Sequence, residues 1–296
     1  MELRHLRYFV AVAEELSFTA AAARLHMSQP PLSQQIRDLE LELQADLFRR
    51  TSRRVELTPA GQAFLQRARS ILIQVDQAAA EARAIGLGSI GTLDIGMTGS
   101  ILLGPLAPLL ASYSEKHSKV DVRLHEMSPL DQIAAIHARR VDVSFLRSPL
   151  NDPDLVTELA WPERVGVALP TTHPLAMREH LNLVELSDET FIFLRLRDSP
   201  FAEYLRRCCI DVGFMPKISH EVVEAYSLTS LVATGMGVAL VPESVGRLSR
   251  RDIIYRPLLD RNPVADVKMV YRQDSEAVVR QFIEASRVFL RAATSA

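Results

Sequence analysis

At 296 residues and 48% hydrophobic content, the chain exceeds one ordinary domain and can build two or three buried cores. It lacks an apolar run of about eighteen residues, which argues against a membrane span. Its opening MELRHLRYFVAVAEELS reads as an amphipathic helix rather than a signal peptide, so a soluble cytoplasmic protein is expected. A formal net charge of −2 argues against indiscriminate binding to polyanions.

The first helix is predicted over about Leu3 to Glu15, with Leu3, Leu6, Val10 and Ala13 on one face. Ser17 is placed to cap a second helix, whose Ala20 to Ala23 run permits close packing. His26, Met27 and Ser28 form a turn, and Ser28 is placed to cap a third helix. Pro30 and Pro31 lie in its first turn, where missing amides cost little. Leu32, Ile36, Leu39 and Leu43 seat this helix on a core and leave Gln29, Ser33, Gln34 and Arg37 exposed. Amide and hydroxyl groups near the start of such a helix suit the major groove of DNA, where base edges offer paired donors and acceptors.

Leu47-Phe48 and Val55-Glu56-Leu57 read as short strands around RRTSRR, completing a winged helix-turn-helix over residues 1–58. There, eight arginines face eight acidic residues, so the basic signal is local: Arg49, Arg50, Arg53 and Arg54 cluster at the wing. The first lysine is Lys116, which leaves arginine as the only basic side chain type besides histidine in the DNA-reading region.

Thr58-Pro59 starts a long helix, with a capping hydroxyl followed by proline at the first helical position. Phe64, Ala68, Ile71, Val75, Ala78, Ala82 and Ile85 repeat with the alternating four-three spacing of a heptad seam, which implies a partner helix. Residues 59–90 are therefore expected to be a dimerisation helix and hinge ending in GLGSIG. The alternative is a helix lying on its own domain.

From Gly91 the pattern alternates between strands and helices, giving an α/β class for the whole chain. Strands are expected at Thr92–Met97, Val120–Glu126, Val141–Leu146, Arg164–Leu169, Thr190–Leu194, Gly237–Val241 and Val267–Tyr271. Helices are expected at Leu130–Arg139, Ala202–Cys209, Ser227–Thr234 and Ala277–Ala292. Strands near both ends of this half suit one sheet, with the middle of the chain inserted as a second lobe. Residues 91–296 thus form a two-lobed domain, one lobe about 91–163 and 268–296, the other about 164–267, with a cleft for a small ligand. Cys208 and Cys209 are adjacent, badly placed to bridge each other, and read as core thiols rather than a redox switch.

AAAARLHMSQPPLSQQIRDLE, LFRRTSRRVELTPAG and the long helix behind them resemble the N-terminal region of LysR-type transcriptional regulators. The following α/β half, with VDVSFLR and ATGMGVALVP, resembles their effector domain, similar in fold to periplasmic binding proteins. MTGSILLG, LHEMSPLDQ, FLRSPLNDP and GVALVPES resemble most closely the regulators of benzoate, catechol and chlorocatechol degradation, which respond to muconate-like diacids. The resemblance implies a tetrameric activator built from homodimers. Its implied partners are double-stranded promoter DNA, a small anionic effector that changes DNA bending, and RNA polymerase, with no cofactor, metal or membrane.

For DNA, the candidate contacts are Ser28, Gln29, Pro30, Pro31, Ser33, Gln34 and Arg37 on the helix, and Arg50, Arg53 and Arg54 at the wing. Gln pairs with adenine, the prolines can touch thymine methyls, and the arginines grip phosphate or a minor groove. For the effector, Thr98, Gly99 and Ser100 follow a strand, where amides and hydroxyls can hold a carboxylate. Gly104, Pro105 and Pro108 delay or kink the helix there, and Ser100 can equally be a plain cap. The resemblance places a ligand-binding hydroxyl at Ser100. It also shows a departure: Pro129 stands where muconate-responsive members carry a second hydroxyl, with Ser128 beside it. Arg147 is a counter-ion for an anionic ligand or a partner of a nearby acid such as Asp152. Ser199, Pro200 and Phe201 can close on the ligand from the second lobe, unless Phe201 is core. An enzyme is not expected: there is no GxSxG elbow, the eight histidines are scattered, and Gly235-Met236-Gly237 fails the dinucleotide fingerprint.

Overall fold

The computed structural model describes residues 1–51, 54–147, 152–248, 251–260 and 263–294. It comprises two compact units, Met1–Ala84 and Ile85–Ala296, each with its own core.

The first unit opens with α1 (Leu3–Glu15), α2 (Phe18–Arg24) and α3 (Gln29–Leu43). Ser17 Oγ accepts from the Ala20 amide at 3.3 Å and starts α2, and buried Ala21 and Ala22 let its neighbours approach. α1 buries Leu6, Phe9, Val12 and Ala13, while Leu3 stays 40% exposed. The helix is rotated from the expected face because Phe9 is the anchor on which Phe48 and Phe64 converge, with ring centroids 5.2 and 5.0 Å away. Leu32, Ile36 and Leu39 seat α3 as the spacing predicts. Ser28 occupies the N-cap position of α3, but its hydroxyl makes no cap bond. The amides that such a hydroxyl reaches belong to the second and third helical residues, which here are Pro30 and Pro31 and have none.

β1 (Phe48–Arg50) and β2 (Val55–Leu57) form an antiparallel wing with Phe48 opposite Leu57. Thr58 then starts α4 (Pro59–Gly86): its hydroxyl accepts from the Gly61 amide at 2.9 Å and donates to the Asp46 carbonyl at 2.6 Å. The first turns of α4 complete the domain core through Phe64, Leu65, Ala68 and Leu72. Phe64 and Ala68, read as part of an intermolecular seam, are thus engaged within their own domain. The seam is open farther along: Ile71 and Ile85 are 38% and 54% exposed, and Ala78 and Ala82 are exposed.

The second unit contains β3 (Gly91–Met97), α5 (Leu106–Lys116), β4 (Val120–Glu126), α6 (Pro129–His137), β5 (Val143–Leu146), β6 (Leu155–Trp161) and β7 (Val165–Pro170). There follow β8 (Thr190–Leu194), α7 (Pro200–Asp211), β9 (Lys217–Val222), α8 (Ala225–Ala233), β10 (Ala239–Pro242), α9 (Glu243–Gly246), β11 (Ile253–Pro257), β12 (Val267–Arg272) and α10 (Ala277–Thr294). Strands β6, β9 and β11 were not expected from the sequence.

One lobe is a sheet in the order β4-β3-β5-β12-β6, with β3 parallel to β4 and β5, and β12 antiparallel to its neighbours. α5 and α10 pack against it, with Tyr113 edge-on to Phe282 at 5.0 Å. In the other lobe β7 lies between antiparallel β10 and β11. Backbone bonds from Thr190 and Ile192 to Val238 join the parallel β8-β9 pair to it. The chain crosses between lobes along two neighbouring segments. Glu163 N donates to Asp266 Oδ1 at 3.0 Å, Ala265 N donates to Glu163 O at 2.7 Å, and Arg164 pairs with Val264. Parallel β3, β4 and β5 all end on one edge of their sheet, which leaves their following loops to line a crevice.

Gly61 is buried beneath the Leu47 carbonyl, and a Cβ there would overlap that oxygen. Gly61→Ala is expected to destabilise the N-terminal unit by about 1–3 kcal/mol through overpacking. Calorimetry of the full chain should show its unfolding transition at lower temperature; an unchanged transition would contradict this packing.

Candidate nucleic-acid interface and effector pocket

The start of α3 is an exposed polar and apolar edge. Ser28, Gln29, Pro30, Pro31, Gln34 and Arg37 are exposed and Ser33 is half-buried. Arg37 Nη2 donates to Gln34 Oε1 at 3.0 Å, and Gln34 Nε2 donates to Asp38 Oδ1 at 2.7 Å. By contrast, the side chains of Gln29 and Ser33, one turn apart, form no hydrogen bond with other described residues. They keep their full donor and acceptor capacity.

Behind this edge, Glu40 joins helix to wing. Its Oε1 accepts from the Leu47 and Phe48 amides at 2.9 and 3.0 Å, and its Oε2 takes Arg50 Nη2 at 2.6 Å. The Arg50 guanidinium also lies 4.8 Å from the Phe18 ring centroid. Arg50, expected to contact DNA, is exposed and at the same time braces the wing through Glu40. Arg54 is exposed, its backbone paired with Thr51 in the wing turn. Arg53 lies outside the described residues. Acidic residues are likewise occupied: Glu14 accepts from Arg69 and Arg24 at 2.7 and 2.8 Å, which hold its carboxyl below the usual range. Internal pairing of Glu14 and Glu40 reduces the acidic field that a phosphate backbone would meet.

In the second unit, a cavity of about 460 Å³ lies between the lobes, within the size range of small-ligand sites, roughly 300–1,000 Å³. Its walls come from the ends of β3, β4 and β5 on one side, and from the end of β8, the starts of α7 and α8 and the end of β10 on the other. Thr98, Gly99, Ser100, Ser128, Arg147, Ser199 and Phe201 all line it. Pro200 does not; it is the first residue of α7, behind the Ser199 cap. Phe201 belongs to both readings given to it, since it faces the cavity and packs in the second lobe's core.

Most of the hydroxyls are partly engaged. Ser199 Oγ accepts from the Ala202 amide at 3.1 Å. Ser128 Oγ accepts from the Asp131 amide at 3.2 Å and donates to Asp131 Oδ2 at 2.7 Å. Thr98 to Ser100 lead into a short 3-10 turn, and α5 begins only at Leu106, after the break at Gly104 and Pro105. Ser100 is not a plain cap: its oxygen accepts from Arg147 Nη1 at 3.0 Å.

Arg147 is the centre of a buried network. Its side chain is 5% exposed and Nη2 lies 2.8 Å from Glu163 Oε2, whose side chain is 6% exposed. Nη2 also lies 3.2 Å from Ser244 Oγ, while Glu163 Oε1 accepts from the Ser244 amide at 2.8 Å. Burial pulls the guanidinium pKa down and the Glu163 carboxylate pushes it back up. The acid beside Arg147 is thus Glu163; Asp152 pairs with His137 at 2.8 Å instead. Of the two readings given to Arg147, pairing with a nearby acid is the one seen in this geometry, with Glu163 in place of Asp152.

Sequence reasoning missed Glu40, Glu126, Glu163, Arg195, Asp198, Glu224 and Ser244. Of the pocket residues among them, Glu126 had a legible signal, because it is the last residue of the strand expected at Val120–Glu126, and strand ends in an α/β order face the ligand crevice. Cys208 and Cys209 are buried, and burial pushes both thiols up, Cys209 to about 12, which keeps them protonated and unreactive. Among the described residues no helix is long and apolar enough to cross a membrane.

Comparison with known proteins gives this geometry its family. Residues 3–62 match the family of bacterial regulatory helix-turn-helix proteins of lysR type, and residues 87–290 match the LysR substrate binding domain. The chain is 37% identical to the transcriptional regulator AlsR of Bacillus subtilis over 289 residues, covering 97% of this chain and 95% of that one. It is 38% identical to BenM of Acinetobacter baylyi over 282 residues, covering 94% and 92%. Full-length CbnR complexed with its target DNA superposes with a TM-score of 0.83 at 27% identity, covering 98% of this chain and 100% of CbnR. The BenM effector binding domain with its effector benzoate gives 0.63 at 29% identity, covering 69% and 92%. The chain belongs to the LysR family: it is a DNA-binding transcriptional regulator with a helix-turn-helix domain and an effector-binding domain, not an enzyme.

Proposed function

We propose that this regulator is a cytoplasmic, ligand-responsive activator. Its α3 reads operator bases through Gln29 and Ser33, its wing grips the phosphate backbone through Arg53 and Arg54, and α4 pairs with a second copy. Two such dimers make a tetramer whose bending of promoter DNA is set by a small molecule between the lobes and felt by RNA polymerase. The observation that carries this reading is the pairing of an unengaged Gln29–Ser33 edge with a partly enclosed cavity of ligand size in one chain. The DNA complex of CbnR and the benzoate complex of the BenM domain support it by likeness.

The test is a footprint on the intergenic DNA beside its own gene, with and without a library of small alcohols, amines and acids. A member of the library should change the length or hypersensitivity of the footprint; if none does while operator binding persists, the effector reading falls.

Gln29→Ala should lower discrimination between operator and mutant operator by about 1–3 kcal/mol, the worth of one good base pairing. Arg54→Ala should weaken binding to all sequences alike and reduce the slope of log K against log salt by about 1. Both are read from binding isotherms at several salt concentrations, and equal effects of the two variants on discrimination would refute the division of roles. The double variant Ile71→Asp, Val75→Asp should weaken self-association by about 2 kcal/mol or more, since each buried aliphatic side chain contributes ~1.5–3 kcal/mol. Analytical ultracentrifugation would detect the shift to monomer; an unchanged assembly would remove α4 from the interface.

A further inference from the structure

Once its internal ion pairs are set aside, the pocket is acidic. Arg147 is matched by Glu163, and Arg195 by Asp198 at 2.9 Å. Glu126, at the end of β4, and Glu224, at the N-cap of α8, remain on the lining; neither carboxylate takes a hydrogen bond or ion pair from any described residue.

The placing of Glu126 is the sharper fact. In the parallel register Met97 stands opposite Glu126, so this carboxylate reaches over the residues that follow β3. A Cβ on Gly99 would overlap Glu126 Oε1, so the carboxylate rests directly on the glycine. Thr98, Gly99 and Ser100 are the residues whose amides would otherwise cradle the carboxylate of a ligand. Glu126 Oε1 lies against the middle one of them, so a ligand carboxylate brought to these residues would stand beside the chain's own and meet like-charge repulsion. Ser100, whose oxygen already accepts from Arg147, keeps its proton to donate.

Resting on the effector reading above, we infer that the ligand of this pocket presents to Glu126 a hydrogen-bond-donating head, a hydroxyl or an amine, and not a carboxylate. Its apolar body lies against Leu194, Phe201 and Leu228, which line the same cavity. A hydroxyl satisfies both sides at once, donating to Glu126 and accepting from Ser100. An ammonium satisfies Glu126 alone.

The experiment titrates the full-length protein with benzyl alcohol, benzylamine and benzoate by isothermal calorimetry, with the shift in melting temperature as a second readout. These share one apolar body and differ in the head. The wild type should bind the alcohol or the amine about tenfold or more tightly than benzoate, a difference well outside measurement error. In Glu126→Gln that preference should shrink to within about threefold or reverse, because the neutral amide no longer repels an anion and can donate to it. Glu126 is exposed, so the variant should melt without ligand as the wild type does. Ser100→Ala separates the heads: it should weaken the alcohol and spare the amine. Benzoate binding the wild type as tightly as the other two would overturn the inference, as would an unchanged preference in Glu126→Gln. Failure of all three probes on both proteins would also overturn it, whereas the effector reading itself is decided by the library footprint.

Discussion

The ligand-binding unit depends on a buried charge pair placed where the chain passes between lobes. Arg147 directly follows β5 in one lobe, Glu163 lies in the first crossing segment, and Ser244 lies in the first turn of α9 in the other lobe. Two ions removed from water cost several kcal/mol each unless their remaining donors and acceptors are satisfied. Here most of them are: the Glu163 carboxylate takes two bonds from the Arg147 side chain and one from the Ser244 backbone amide, and Arg147 also reaches the hydroxyls of Ser100 and Ser244. The pair therefore fixes the geometry of the hinge and one wall of the cavity together. A ligand that draws on Ser100 acts one bond away from the contact that joins the lobes, which gives small chemistry in the pocket a route to the relative placing of the two sheets.

In the N-terminal unit the comparable device is Glu40. It closes the wing onto α3 by accepting two consecutive backbone amides and one guanidinium. Surface ion pairs contribute little as a rule, about 0–1 kcal/mol, but a carboxylate that satisfies otherwise unpaired amides does more. The same arrangement explains how a chain with formal net charge −2 can meet DNA. Glu40 and Glu14 are each paired with arginine inside the unit, while Arg54 remains at the surface.

Helices were legible where capping residues, prolines and apolar spacing agree at the same positions, as at Ser17 before α2 and Thr58-Pro59 before α4, whereas α5, broken into by Pro105 and Pro108, and the short α9 were not assigned. Interior strands such as β3 and β7 announce themselves by β-branched and apolar runs. The missed strands lack that signal. β9, KISHEV, is charged and mostly exposed, and β11 ends in proline, so each owes its conformation to a neighbour rather than to its own composition. β6, LVTELAW, carries adjacent apolar residues at both ends, a pattern compatible with a helix until β12 pairs with it. The pocket was half legible. Residues at strand ends could be named from the α/β order, but the partners of Arg147 and the seating of Glu126 over Gly99 depend on parallel register and hinge geometry, which sequence spacing does not encode.

The two prolines that leave Ser28 without a cap bond have a further effect. Each pyrrolidine ring locks one backbone torsion at a value suited to a helix, so the leading turn of α3 is already ordered before any DNA arrives. Complex formation then loses less conformational entropy at the reading edge than it would with a fraying helix start. With only the Ser28 and Gln29 amides remaining there, the backbone itself has little to offer a phosphate. In the function proposed above, recognition by this turn would consequently fall to the side chain of Gln29 and the rings beside it, a rigid template rather than an adaptable one.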